Sequence, residues 1–138
     1  MKTYILDACA LIAYFAKENG AVNVKNILRD AIDNEDITIF MNKINLLEVY
    51  YKIIKVYDTK KADEMLEIVK KLPIKIISEL QDDVLRKAGY LKSNYKMSLA
   101  DAVAVAETII NSGSLVTADH HEIEPIERAE KINVTWFR

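Results

Sequence analysis

Four carboxylates, Asp7, Glu48, Asp101 and Asp119, stand where short apolar runs end or where helical patterns begin. Carboxylate oxygens are the hard ligands that Mg²⁺ and Mn²⁺ prefer, with waters completing the octahedral shell. Gathered on one edge of a sheet, such acids can hold a divalent cation. A cation so held can polarise a phosphodiester, activate a water and steady the leaving oxygen. No cysteine or histidine cluster competes for a softer metal, because the chain has one cysteine, Cys9, and two histidines, the adjacent His120 and His121. Neighbouring histidines are badly placed to ligate one ion together without further ligands.

Each acid also has an ordinary structural role. Asp7 is suited to cap a helix starting near Cys9. Asp101 completes a capping box with Ser98, and Asp119 can cap the last helix with Glu122 three residues on. Glu48 shares a narrow polar stripe with Asn45, Lys52 and Lys55, and an exposed Glu48–Lys52 pair at i,i+4 would be worth only about 0.3–0.5 kcal/mol. What separates the two readings is joint placement. The helix that Asp101 opens runs Leu99-Ala100-Asp101-Ala102-Val103-Ala104-Val105-Ala106, apolar nearly all round, and is expected to be buried. An ionised carboxylate at its entrance needs a partner, and a divalent cation would serve.

The elements that must position these acids alternate along the chain. Apolar runs rich in β-branched or aromatic residues at 4–6, 37–40, 74–77, 115–117 and 134–136 read as strands. Helical periodicity covers 9–17, 21–33, 43–57, 59–71, 79–93, 98–112 and 122–131. Strands that are apolar without alternation suit a parallel sheet covered on both faces. The β-α-β order then implies right-handed crossovers, giving an α/β fold: a three-layer α/β/α sandwich around a central, mainly parallel, roughly five-stranded sheet. Ser78 with Gln81 and Ser98 with Asp101 mark helix starts, and Gly113 sits where a helix-terminating glycine is expected. In such sheets ligands bind outside the carboxyl ends of the strands. Asp7, Asp101 and Asp119 should all open onto that edge, with Glu48 on the helix after the second strand.

Composition bounds the function. The 138 residues are 51% hydrophobic and 29% charged, with three glycines and two prolines, the profile of one helix-rich globular domain spanning 1–138. A net charge of −2 offers no global basic field for nucleic acid, so attraction must come from a local patch or from bound cations. Lys43, Lys52 and Lys55, near the acidic edge, are the candidate phosphate contacts. No apolar stretch approaches the ~20 residues that span a bilayer, no signal-peptide pattern is present, and a lone cysteine suits a reducing compartment. A cytoplasmic protein with no membrane association is expected.

The segments Ile5-Leu6-Asp7-Ala8-Cys9-Ala10-Leu11-Ile12, Ile44-Asn45-Leu46-Leu47-Glu48-Val49-Tyr50-Tyr51, Met97-Ser98-Leu99-Ala100-Asp101-Ala102 and Leu115-Val116-Thr117-Ala118-Asp119-His120 resemble, in order and spacing, the four signature blocks of PIN-domain nucleases. The likeness is greatest to the short VapC-type toxins of prokaryotic toxin–antitoxin pairs. It implies an endoribonuclease using Mg²⁺ or Mn²⁺, with Asp7, Glu48, Asp101 and Asp119 as metal-binding and catalytic acids. Thr117 matches the hydroxyl position beside the last acid, and Glu122 falls where relatives often carry a further acid. Cys9 takes a place where some relatives carry a small hydroxyl or Asn, which puts polar assistance from that position in question. The resemblance further implies a homodimer and a cognate antitoxin, docked in a groove formed by parts of the 43–57 and 59–71 helices. An RNA-maturation nuclease and a catalytically inert α/β interaction module are the alternatives. Asp119-His120-His121 spells the short signature of another phosphoesterase family, whose remaining blocks are missing. A phosphotransfer domain with Asp7 as nucleophile would need an acid two residues on, where Cys9 stands, or a lysine after a later strand.

Overall fold

The computed structural model describes residues 1–138. The chain runs β1 (Lys2–Leu6), α1 (Ala8–Ala16), α2 (Ala21–Asp33), β2 (Ile37–Asn42), α3 (Lys43–Val56), α4 (Thr59–Val69) and β3 (Lys75–Ile77). It continues through α5 (Asp82–Asn94), α6 (Leu99–Ile110), β4 (Ser114–Thr117), α7 (His120–Glu130) and β5 (Asn133–Trp136). All strand pairs are parallel, in the order β3-β2-β1-β4-β5. This is the expected sandwich, with five strands. No helix is long and apolar enough to cross a membrane.

The strand order follows from the crossovers. From β1 the chain steps outward to β2 and β3, then returns past the centre to β4 and β5. Right-handed crossovers in opposite directions place their helices on opposite faces. The core divides accordingly. On one face Tyr4, Leu6, Ile39, Met41 and Val116 pack with Leu11 of α1, Val24 and Leu28 of α2, Val49 of α3 and Met65 of α4. On the other, Ile5 and Leu115 pack with Leu91 of α5, Ala102–Ala106 of α6, and Ile123 and Ile126 of α7. Side chains alternate across a strand, so Tyr4 and Leu6 face one layer and Ile5 the other. The reversal of direction leaves a crevice between the carboxyl ends of β1 and β4, where ligands of open α/β sheets bind.

Two boundaries differ from expectation. Helix α5 starts at Asp82 behind Gln81, whose side chain makes no cap, so Ser78 and Gln81 form no capping box. Asp82 and Asp83 occupy its first turn instead, where acids complement the helix dipole. At the end of α6 it is Ser112, with φ of 50°, that takes the left-handed conformation expected of Gly113. Bonds from Ser112 N–H to Ile109 O (3.2 Å) and from Gly113 N–H to Thr108 O (2.9 Å) close a Schellman motif. Gly113 is needed for another reason: a Cβ there would lie 3.0 Å from Thr3 O, where β4 begins beside β1. A left-handed serine is strained, so Ser112→Gly is expected to raise unfolding free energy by about 0.5–1 kcal/mol. A lower urea midpoint in that variant would refute the strain.

Candidate active site

Asp7 leaves β1 and caps α1. Its Oδ1 accepts the Ala10 N–H at 2.9 Å. Cys9 Sγ lies 3.0 and 3.2 Å from the two Asp7 oxygens and donates its proton there, while accepting the Ala118 N–H at 3.4 Å. Polar assistance from the position of Cys9 is therefore present, supplied by a thiol. Burial raises the Asp7 carboxyl above its usual range and the charge of Asp119 adds to this, while the bonds from Thr117, Cys9 and Ala10 pull it down. The same burial, with the charge of Asp7, pushes the Cys9 thiol far up. Cys9 is thus a neutral donor and no nucleophile.

The other acids arrive from the opposite layer. Asp119 caps α7, accepting the Glu122 N–H at 3.1 Å, and its own N–H is held by Thr117 Oγ1 at 3.1 Å. Asp101 stands in the first turn of α6, its N–H bonded to Ser98 Oγ at 3.1 Å. Carboxylate oxygens of Asp101, Asp119 and Glu122 all lie within 4.8 Å of one another. Burial first, then a hydrogen bond with Glu122 and the charge of Asp7, push the Asp101 carboxyl up to about 8, against the lowering effect of Ser98. Carboxyls in such contact must share a proton or a cation. The helix starts that place them carry the N-caps by Ser98 and Asp119 that the sequence indicates. The caps and the acid cluster are the same residues, so the structural and chemical readings do not compete.

Glu48 is placed differently. Its Oε1 pairs with Lys52 Nζ at 2.9 Å, and Oε2 is buried with no protein partner. The pair is half-solvated: the Lys52 side chain is 46% exposed and that of Glu48 17%. Burial works against the Lys52 charge, but Glu48, with smaller help from Tyr51 and Asp101, raises the ammonium pKa overall. Asn45 is not on an exposed stripe at all: it is fully buried. Lys43 and Lys55 are exposed, and they face different ways. Lys43 lines a hollow with Ser78, Leu80 and Leu99, whereas Lys55 lines a groove on the α1–α3–α4 side.

The structure thus brings Asp101, Asp119 and Glu122 into one cluster, couples Asp7 to it through charge, and leaves Glu48 on α3 paired with Lys52. The donor set is all carboxylate oxygen, and burial with mutual contact raises the Asp101 carboxyl within it. These features fit a hard divalent cation. Sequence pattern ranked Glu122 behind Glu48. The N3 position of an acid-capped helix was the signal that could have promoted it. His120 and His121 begin α7. The His120 ring stacks on Trp136, centroids 4.0 Å apart and planes 12° from parallel. The Arg138 carbonyl, then Glu124, raises its pKa. Both ring nitrogens thus face groups of the chain, Arg138 O at 2.8 Å and Glu124 at 3.5 Å.

A family model for the PIN domain matches residues 4–129. No curated protein matches the chain. Among solved structures, VapBC2 of Rickettsia felis bound to a promoter DNA fragment is similar, with TM-score 0.75 and 18% identity over 96% of this chain and 97% of that one. DNA-bound VapBC of Salmonella typhimurium gives TM-score 0.71 and 14% identity over 100% of both chains. The sarcin–ricin loop cleaving toxin VapC20 of Mycobacterium tuberculosis gives 0.70 and 12% over 88% of this chain and 94% of that one. At such identities the likeness is one of fold.

Proposed function

The chain belongs to the PIN domain family, and on that premise we propose that it is a single-domain, Mg²⁺- or Mn²⁺-dependent endoribonuclease, the toxin of a toxin–antitoxin pair. The observation that carries the chemistry is the packing of Asp101, Asp119 and Glu122 within 4.8 Å, with Asp101 pushed up to about 8. Asp7, Asp101 and Asp119 would hold the cation, with Glu48 and Glu122 at its flanks. When bound, the cation would supply a polarised phosphate and an activated water. The chain's own residues do the rest. Cys9 holds Asp7, Thr117 holds the Asp119 backbone, and Ser98 anchors the turn carrying Asp101. Lys52 pairs with Glu48 at 2.9 Å.

The partner reading is supported by a groove of about 690 Å³ on the α1–α3–α4 side, lined by Ile12, Phe15, Tyr51, Val56, Tyr57 and Ile68 among others. Tyr51, Val56, Tyr57 and Ile68 are 45–73% exposed, an apolar surface of the kind that marks a protein contact. The tyrosines Tyr51 and Tyr57 are therefore not core residues. Tyr50 is partly buried and bonds Asp63 at 2.7 Å across to α4. The cognate antitoxin would lay an apolar segment here, and the protein would act as a homodimer.

The deciding test is cleavage of a mixed structured-RNA substrate with Mg²⁺, with Mn²⁺ or with EDTA, by wild type and by Asp7→Asn. Cleavage is expected with either metal, none in EDTA, and a loss of at least about 100-fold in the variant. Equal cleavage by the variant would remove the acids from the mechanism. No cleavage by wild type on any RNA would leave the inert-module reading.

A further inference from the structure

Three buried side-chain atoms in the protein lack a hydrogen-bond partner: Oδ1 and Nδ2 of Asn45 and Oε2 of Glu48. They are three residues apart on α3, so they share a face one turn apart. A fully buried amide with neither atom satisfied is costly, and an apolar side chain of its size would cost less. Something other than packing accounts for an asparagine here. The helix concerned borders the elements that carry the acidic centre. Helix α3 packs against α1, which Asp7 caps, and against α6, which carries Asp101 in its first turn. Lys52, one turn beyond Glu48, feels the Asp101 charge.

We propose that Asn45 is a positioning residue of the acidic centre that acts through Glu48: one enclosed water joins its amide to Glu48 Oε2 and fixes the direction of that carboxylate. Three polar partners are the usual complement of a buried water, and the amide with Oε2 supplies that number. Glu48 alone has two tasks, one oxygen on Lys52 and the other toward the interior. Anchoring the inner oxygen leaves the outer one to answer either Lys52 or a cation. Without the anchor the side chain turns about its own bonds, and the cation meets a disordered ligand. This inference rests on the divalent-metal reading above.

The experiment titrates Mn²⁺ into wild type, Asn45→Leu, Glu48→Gln and the double variant, with the metal followed by its electron paramagnetic resonance. Melting temperatures of the metal-free proteins are taken alongside. Asn45→Leu is expected to bind Mn²⁺ about tenfold more weakly, the size of effect known for groups that orient metal ligands. Its melting temperature shows whether the weaker binding is read on a folded protein. In the Glu48→Gln background the same substitution should cause no further loss, because its route has been removed. Affinity within about twofold of wild type in Asn45→Leu, or full additivity in the double variant, overturns the proposal. If Leu at this position lowers the melting temperature sharply, Asn45→Ala and Asn45→Ser carry the comparison. Serine retains a partner for the water and should bind Mn²⁺ more tightly than alanine, and equal affinities overturn the bridge. A wild type that binds no Mn²⁺ sinks the metal reading and this inference with it. Wild-type binding that Asn45→Leu leaves untouched sinks this inference alone.

Discussion

Asp101→Asn is expected to make the metal-free protein more stable at pH 8 while abolishing its response to Mn²⁺. The wild-type carboxyl is raised from its ordinary 3.8 to about 8 by burial, by Glu122 and by Asp7. A folded state with a raised pKa holds a proton that the unfolded chain has released. Its contribution is fully present below pH 4 and is lost progressively as pH rises towards 8. In free energy the loss is on the order of a few kcal/mol, discounted for the partial exposure of the side chain. Asparagine carries no charge at any pH, so the variant and wild type should converge near pH 4 and separate by pH 8. A shallower slope persists in the variant, because burial raises Asp7 as well. A cation reverses the sign: it favours the ionised cluster, and at 100 times its dissociation constant it stabilises the native state by about 2.7 kcal/mol. Thermal unfolding from pH 4 to 8, with and without Mn²⁺, reads both effects. A metal-free wild type whose stability is flat over that range, or a variant still stabilised by Mn²⁺, would contradict this account of the cluster.

A second large effect is expected away from the acids. Asn42→Ala should destabilise the protein by about 2–4 kcal/mol, the sum of a lost helix cap and an orphaned buried carboxyl. Asn42 Oδ1 accepts the Ile44 N–H at 3.0 Å and caps α3, while its Nδ2 donates to Glu107 Oε2 at 2.9 Å. Glu107 is only 3% exposed, and its remaining side-chain partner is Asn111 at 3.3 Å. This network ties α6, the carrier of Asp101, to the start of α3, the carrier of Glu48. Denaturant unfolding measures the loss. A change below about 1 kcal/mol would mean that only the cap matters. Asn42→Ala/Glu107→Leu, which removes the orphaned group, should recover part of the stability.

Much of the site was legible because its acids double as local signals. Asp7 ends an apolar run and caps a helix, Ser98 with Asp101 opens one, and Asp119 with Glu122 opens another. These are short-range patterns, written within four residues and readable without knowing any neighbour. The buried character of α6 was equally local, since residues 102–108 carry no polar stripe and all are buried. Cys9 and Asn45 were misjudged for a common reason. Each is a polar residue within three positions of an acid, and closeness in the chain does not say what covers it in the fold. Glu107 escaped notice because a lone acid in an apolar helix gives no hint of a partner 65 positions away.

Periodicity, capping and the placement of acids after strands determined the element order, the parallel sheet and the edge on which chemistry would occur. Tertiary structure alone decided that β1 lies between β2 and β4, which sets Asp7 opposite Thr117 and Asp119. It also decided that Glu122, not Glu48, closes the carboxylate cluster. Local pattern depends on contacts between residues a turn or two apart, and the chain encodes these directly. Strand order and helix rotation depend on how two apolar layers, built from segments far apart in sequence, fill space against one sheet.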